Sequence, residues 1–146
     1  MTTPAEQMDA LLDALVGFAK RMLDERRAFY PFAAGVTAAG TLQMVTADLD
    51  ADRPASDVVL ESLEARLRTA ATAGEVQAAG VCADVRLAPA PGEPEKDAIR
   101  VDIEHAEADP VRVFLRYDLD ASGRLVYGEP VAEPGRRRVF TEDAPK

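Results

Sequence analysis

The stretch Ile99-Arg100-Val101-Asp102-Ile103-Glu104 alternates apolar and charged side chains, which is the period of two that a β-strand shows. Residues 81–87 before it and 111–117 after it alternate in the same way. The connections between these stretches are short enough for antiparallel pairing, since parallel strands need a long crossover. The sequence therefore predicts an antiparallel sheet at the centre of the fold.

Two amphipathic helices are predicted outside these strands. Thr3-Pro4-Ala5-Glu6 fits a capping box, and an apolar stripe of period 3.6 continues from it to about residue 27. A second helix is expected to begin near Ser56, after an acidic connection at 48–54, and to end at Gly74. Residues 31–47 predict a β-hairpin that turns near Gly40, and a last strand is expected at 124–127.

The predicted fold class is α+β, with the element order α-β-β-α-β-β-β-β. We expect residues 1–129 to form a single domain, with about five to six antiparallel strands and two helices on one face of the sheet. Residues 130–146 contain three prolines and predict an extended, partly loose C-terminal tail. This element order resembles that of cystatin-like folds and of roadblock-type dimerisation folds. No residue motif of either family is present, so no functional residue is transferred.

The composition argues against several classes of function. The 146 residues carry a net charge of −9, which disfavours nucleic acid and anionic membrane surfaces as partners. No apolar run reaches the ~18–20 residues of a membrane span. Cys82 is the only cysteine, so no intramolecular disulfide can form and we expect a cytoplasmic protein. Only three of the 17 basic residues are lysines, which favours a bacterial source with a GC-rich genome.

The sequence contains no phosphate-binding glycine loop, no paired metal-ligand cysteines, no G-x-S-x-G elbow and no H-E-x-x-H motif. His105 is the only histidine, and strand alternation predicts that its side chain and that of Cys82 point to opposite sides of the sheet. A Cys–His dyad is therefore disfavoured, and both residues are interpreted as structural. We predict no catalytic residue, no bound cofactor and no metal, and we favour a protein that is not an enzyme.

Residues 118–129 contain the sharpest local pattern. Residues with oxygen ligands occupy the first, third, fifth and twelfth positions of a calcium-binding loop: Asp118, Asp120, Ser122 and Glu129. Gly123 fills the sixth position, but a hairpin turn needs the same Asp, Ser and Gly for local hydrogen bonds and a positive φ. Pro130 also argues against a helix after the loop. We predict a hairpin turn at 121–123 without metal, and calcium binding remains the alternative.

Three functions stay open after these observations. The first is a non-catalytic protein-interaction module, which we predict to form a homodimer through a face or an edge of the strands at 76–117. The second is a small-molecule-binding domain with a pocket between the curved sheet and the helices. The third is a calcium-binding module at 118–129. We favour the first, with a protein partner or a second copy as the ligand.

Overall fold

The structure is a computed structural model that describes residues 3–45, 55–88 and 91–141. Its elements are α1 (Pro4–Arg26), β1 (Phe32–Thr37), β2 (Leu42–Val45), α2 (Ser56–Thr72), β3 (Val76–Leu87), β4 (Lys96–His105), β5 (Ala108–Leu119), β6 (Leu125–Tyr127) and β7 (Val131–Pro134). The α+β class and the predicted element order are confirmed, and β7 is an additional strand. The end of the first hairpin at 46–47 and the acidic connection at 48–54 lie outside the described residues. No helix within the described ranges has the length and apolarity to cross a membrane.

The strands form one antiparallel sheet in the order β2-β1-β3-β4-β5, and β6 and β7 both pair with the outer edge of β5. Tyr117 pairs with Tyr127, so an unbroken register would pair Phe114 with residue 130. Phe114 instead pairs with Val131, which means that one extra residue lies between β6 and β7. The two short strands are therefore one edge strand interrupted by a β-bulge.

Helix α1 covers one face of the sheet, across β1, β3 and β4. The predicted capping box is confirmed: Thr3 Oγ1 accepts a hydrogen bond from the Glu6 N–H at 3.1 Å, and Glu6 accepts one from the Thr3 N–H at 3.3 Å. Leu11 and Leu15 of the helix are fully buried against the sheet. Gly80 allows this close approach, because a Cβ at that position would lie 2.5 Å from Leu15 Cδ1.

Helix α2 lies on the opposite face, which corrects the prediction that both helices share one face. Leu63 of α2 packs with Ala79 and Val81 of β3, whereas Ala78 and Cys82 of the same strand face α1. Strand β3 is therefore buried on both sides over most of its length. A strand of this kind has small or apolar residues on both faces, so its alternation does not reveal which face a helix covers.

Residues 131–140 belong to the segment for which the sequence predicts an extended, partly loose tail, and they contact the sheet and the core. Strand β7 pairs with β5 from residue 131 to residue 134. Beyond it, Val139 is only 2% exposed and lies in the core beneath α2, with Phe140 packed at its margin. We call residues 131–140 the C-terminal arm.

Candidate functional site

Among the described residues, no helix lies over the α2-side face of β4, β5, β6 and β7, because α2 packs mainly across β1, β2 and β3. We call this surface the open face. The strand register places ten outward side chains on it: Lys96, Arg100, Asp102, Arg112, Phe114, Arg116, Asp118, Val126, Val131 and Glu133. Apolar side chains and charges of both signs therefore share one surface of the sheet.

The centre of the open face is apolar. Phe114 is half-buried and lies directly beside Val131, which is 51% exposed. Val126, also 51% exposed, lies further along the same edge strand, opposite Asp118, and we call Phe114, Val131 and Val126 the apolar strip. An apolar strip with charged surroundings is the composition typical of a protein-docking surface.

The charges beside this strip are held in place by Asp102. Arg112 donates to it from Nε to Oδ1 at 2.6 Å and from Nη2 to Oδ2 at 3.3 Å, and the Arg100 Nε lies 3.2 Å from Oδ2. The hydrogen bonds to Asp102 raise the pKa of Arg112. A carboxylate shared by two guanidinium groups leaves a net positive charge with restricted side-chain freedom.

A narrow cleft of about 190 Å³ separates this network from α2. Asp57, Glu61 and Glu64 of α2 line one side of it. Glu64 Oε2 lies 3.7 Å from Arg138 Nη1 of the arm. Burial raises the pKa of Glu64, and the positive charge of Arg138 opposes that shift. The acidic side of this cleft is therefore already neutralised in part by the arm.

Glu104 anchors the arm. Glu104 is only 5% exposed to solvent. It accepts hydrogen bonds from the backbone N–H groups of Arg138 at 2.9 Å, of Val139 at 3.0 and 3.1 Å, and of Phe140 at 3.2 Å. Arg137 adds hydrogen bonds to the carbonyl oxygens of His105 and Ala108. These bonds place the arm at the margin of the open face.

His105 and Cys82 both face α1, which corrects the prediction that they point to opposite sides of the sheet. His105 pairs directly with Ala78, and Ala78 lies on the same side of β3 as Cys82. The prediction took the other row of β3 as the inward one, although both rows are buried. Four residues of strand, about 13 Å, separate the level of Cys82 from that of His105.

The hydrogen bonds of His105 fix its tautomer. Its Nδ1 accepts from the Glu107 N–H at 3.0 Å, so Nδ1 carries no proton. Its Nε2 therefore carries the proton and donates to Gln7 Oε1 at 2.6 Å. Burial lowers the pKa of His105 and raises the pKa of the Cys82 thiol. The imidazole is thus neutral with both nitrogens engaged, and the thiol is protonated.

The predicted hairpin turn at 121–123 is confirmed. Gly123 has a φ of 85°, and Asp120 Oδ1 accepts hydrogen bonds from the N–H groups of Ser122 and Arg124, both at 2.9 Å. These bonds lower the pKa of Asp120. The chain is extended from Leu125 onward.

The four candidate calcium ligands have different surroundings. Within the turn, the Ser122 hydroxyl donates a hydrogen bond to Asp120 Oδ1 at 2.8 Å. Asp118 Oδ2 lies 3.7 Å from Lys96 Nζ, and Glu129 follows strand β6 on the exposed edge. Within residues 3–45, 55–88 and 91–141, no three His, Cys, Asp or Glu side chains are grouped as metal ligands.

A larger cleft of about 560 Å³ lies between α2 and the β1–β2 hairpin. The residues that line it include Gly35, Gln43, Arg66, Thr69 and Glu75. Its position matches the second alternative from the sequence, a pocket between sheet and helix. Its volume falls in the range of small-molecule sites.

Sequence reasoning missed one polar pair on the α1 side. The Tyr117 hydroxyl donates to Asp84 Oδ1 at 2.6 Å, and burial raises the pKa of Asp84. A cleft of about 330 Å³, lined partly by Tyr117, Arg27 and Asp97, opens beside it. Asp84 and Tyr117 lie on different strands, and only the register of β3, β4 and β5 brings their side chains together.

Comparisons with known proteins found no match to any family model, to any curated protein or to any solved structure. No solved structure therefore supports the resemblance in element order to the cystatin-like and roadblock-type folds. The structure defines an α+β domain with one helix on each face of an antiparallel sheet and with the open face beside α2.

Proposed function

We propose that the chain is a non-catalytic protein-interaction module that binds a protein partner on the open face. The observation that carries this proposal is the apolar strip of Phe114, Val126 and Val131 on a sheet face without a helix over it among the described residues. Protein interfaces combine an apolar centre with a polar rim and are enriched in arginine and aromatic residues. The guanidinium groups held by Asp102 supply part of such a rim.

The surroundings of the two most reactive side-chain types support a non-catalytic role. Nucleophilic catalysis by a cysteine needs a thiolate and a base with an available lone pair. Cys82 is buried and protonated, and the Nδ1 lone pair of His105 accepts from a backbone N–H. The single buried cysteine also supports a reducing cytoplasmic setting, and the scarcity of lysine supports a bacterial source.

Site-specific photo-crosslinking tests the proposal. A photoreactive phenylalanine analogue at position 114, expressed in the native cells, should give protein adducts of discrete mass. The same analogue at Leu42, which is exposed at the far edge of the sheet on the other face, is the matched control. Equal adducts at both positions, or none at position 114, would contradict the proposal.

A second candidate function is small-molecule binding in the cleft between α2 and the β1–β2 hairpin, favoured by its volume of about 560 Å³. Ligand-observed NMR with a fragment library tests it. Binders should be lost when Thr69, which lines the cleft, is replaced by Trp, and kept when the exposed Thr72 is replaced in the same way. Fragments that bind both variants equally would rule this cleft out.

A further inference from the structure

We infer that the chain forms a homodimer in which β2 pairs antiparallel with β2 of a second copy, so that the two sheets become one continuous sheet. This inference goes beyond the proposed function, because it uses a different surface from the open face. The sequence predicts a homodimer through the strands at 76–117. Within the described residues these strands offer no free edge, since β3 and β4 are interior and β6 and β7 cover the outer side of β5.

Strand β2 is the other edge of the sheet, and no described strand pairs with its outer side. The Thr37 N–H donates to the Thr41 carbonyl oxygen at 2.8 Å, so these two residues are a hydrogen-bonded pair of the β1–β2 ladder. Hydrogen-bonded pairs alternate with non-hydrogen-bonded pairs, so Gln43 also bonds to β1. The backbone N–H and C=O groups of Leu42 and Met44 therefore point away from β1, toward the free edge.

The opposite edge, formed by β6 and β7, is protected against pairing. A β-bulge interrupts it, and Glu129 and Glu133 place charges along it. The Gly135 N–H donates to the Pro110 carbonyl oxygen at 3.0 Å, and the same alternation turns the nitrogen of Pro134 outward, where it has no hydrogen to donate. Bulges, charges and prolines are the devices by which natural sheets block edge pairing. Strand β2 has no charge and no proline, so its edge is open to a further strand.

The sequence of β2 favours a second copy as that further strand. Leu42-Gln43-Met44 reads apolar, polar, apolar in both chain directions. A two-fold axis perpendicular to the sheet, midway between Gln43 of the two copies, pairs Leu42 of each copy with Met44 of the other. These are the residues whose backbone groups point outward, so each of the two pairs can exchange both of its hydrogen bonds. The free edge is therefore complementary to itself.

The side chains of β2 match under the same axis. Leu42 is 37% exposed and Met44 is 49% exposed. Both lie on the α1 side of the sheet, because their partners in β1 are Val36 and Ala34. In the dimer each Leu42 lies beside Met44 of the other copy, which removes apolar surface from water. Gln43 lies on the α2 side and faces its own equivalent, and an amide both donates and accepts hydrogen bonds.

Charge also favours contact at this edge. The chain has a net charge of −9, so two copies repel each other over most of their surfaces. Residues 28–47 include β1 and β2 and contain no charged side chain, although 29% of the whole chain is charged. Two copies that meet at β2 therefore bring together the longest uncharged stretch of the sequence.

Sedimentation equilibrium of the full-length chain tests the inference. Wild type should be a dimer, and Met44→Pro should weaken it at least about tenfold, because proline removes an outward N–H that β1 does not use. Ala132→Pro is the matched control. The N–H of Ala132 also points outward, but at the opposite edge, so this variant should dimerise like wild type. Circular dichroism checks that each variant is folded.

Disulfide crosslinking tests the register of the two strands. The axis makes Gln43 and its equivalent a non-hydrogen-bonded pair with Cα atoms about 4.5 Å apart, within the range of a disulfide. Gln43→Cys should therefore give a covalent dimer on mild oxidation. Leu42→Cys is the matched control, because the two copies of residue 42 would lie about 8 Å apart, beyond that range. The native Cys82 is buried in both variants.

Each outcome decides one part of the inference. A monomeric wild type at about millimolar concentration overturns the dimer. A dimer that folded Met44→Pro leaves intact overturns β2 as its interface. Equal crosslinking of Gln43→Cys and Leu42→Cys, or none of Gln43→Cys, overturns the two-fold register. The proposed function is tested separately: the photoreactive analogue at Leu42 should give only adducts of twice the mass of the chain, which differ from the partner adducts at position 114.

Discussion

Glu104 binds the backbone N–H of Val139 with both of its carboxylate oxygens, at 3.1 and 3.0 Å. The two residues lie on different elements, yet both are nearly excluded from solvent. A buried carboxylate is tolerated only when hydrogen bonds replace its lost hydration. The C-terminal arm is therefore a part of the folded core, and its attachment depends on one side chain of β4.

We expect Glu104→Gln to lower the free energy of unfolding by about 2–3 kcal/mol, because charge-assisted hydrogen bonds are lost and an amide NH₂ meets backbone donors. Urea denaturation measures the change. The exposed neighbour Glu107 supplies the control, and Glu107→Gln should change stability by less than about 0.5 kcal/mol. Equal effects from the two substitutions would contradict the anchoring role of Glu104.

We expect NMR of the single histidine to show the neutral tautomer with the proton on Nε2. Long-range ¹H–¹⁵N spectra identify the tautomer directly, and a pH titration gives the pKa of His105, which burial should hold below its ordinary value. Because the folded pKa is lowered, this residue contributes stability above the unfolded pKa, and the contribution is lost as the pH falls through the folded value. A proton on Nδ1 at neutral pH would be inconsistent with the Glu107 hydrogen bond.

We expect two glycine-to-alanine substitutions to have opposite effects. Gly80→Ala should destabilise the fold by about 1–3 kcal/mol, because its Cβ would lie 2.5 Å from Leu15 Cδ1. Gly17 lies on the solvent-exposed side of α1, and a Cβ added there would meet no atom within 4 Å. Gly17→Ala should therefore stabilise the fold by about 0.5–1 kcal/mol. Thermal and urea unfolding of both variants check this pair, and a neutral Gly80→Ala would show that α1 can shift on the sheet.

We expect the stability of wild type relative to Asp84→Asn to fall as the pH rises. Burial raises the pKa of Asp84 above its ordinary value near 3.8, so the folded chain keeps a proton that the unfolded chain has released. Stability therefore decreases between the unfolded and the folded pKa and stays low above them. Chemical denaturation of both proteins from about pH 4 to pH 7 measures the difference. A difference that grows with pH would show that the carboxylate is favoured in the folded state.

We expect no saturable calcium binding at 118–129. Asp120 is engaged in the turn, and the extended strand β6 leads Glu129 away from Asp118. Isothermal titration calorimetry at low ionic strength and near-neutral pH is the measurement. Saturable binding that Asp118→Ala abolishes would restore the calcium alternative.

The elements that the sequence predicted correctly have local signals. Thr3 and Glu6 satisfy each other within one turn, so the start of α1 is visible in four residues. The turn at 121–123 depends on Asp120 and Gly123, whose roles are equally local. The existence and antiparallel direction of β3, β4 and β5 follow from alternation and short connections.

The features that the sequence did not predict depend on contacts between distant residues. Strand β3 presents small residues to both helices, so its alternation led to the wrong prediction that Cys82 and His105 lie on opposite sides of the sheet. The arm is bound through backbone N–H groups, which every non-proline residue has. The side chains at 138–140 therefore do not indicate this attachment in the sequence. The open face becomes visible only when α2 is placed over β1–β3.

The dependence of Glu104 on residues 138–140 has a consequence for synthesis on the ribosome. A nascent chain that has emerged only as far as Gly135 has the seven strands of the described residues, but its Glu104 carboxylate still lacks the donors that satisfy it. The final core contacts at Val139 form only after about 35 further residues have followed β4 out of the exit tunnel. A product truncated before residue 138 would keep an unsatisfied carboxylate and an empty site beneath α2, which would expose it to proteases.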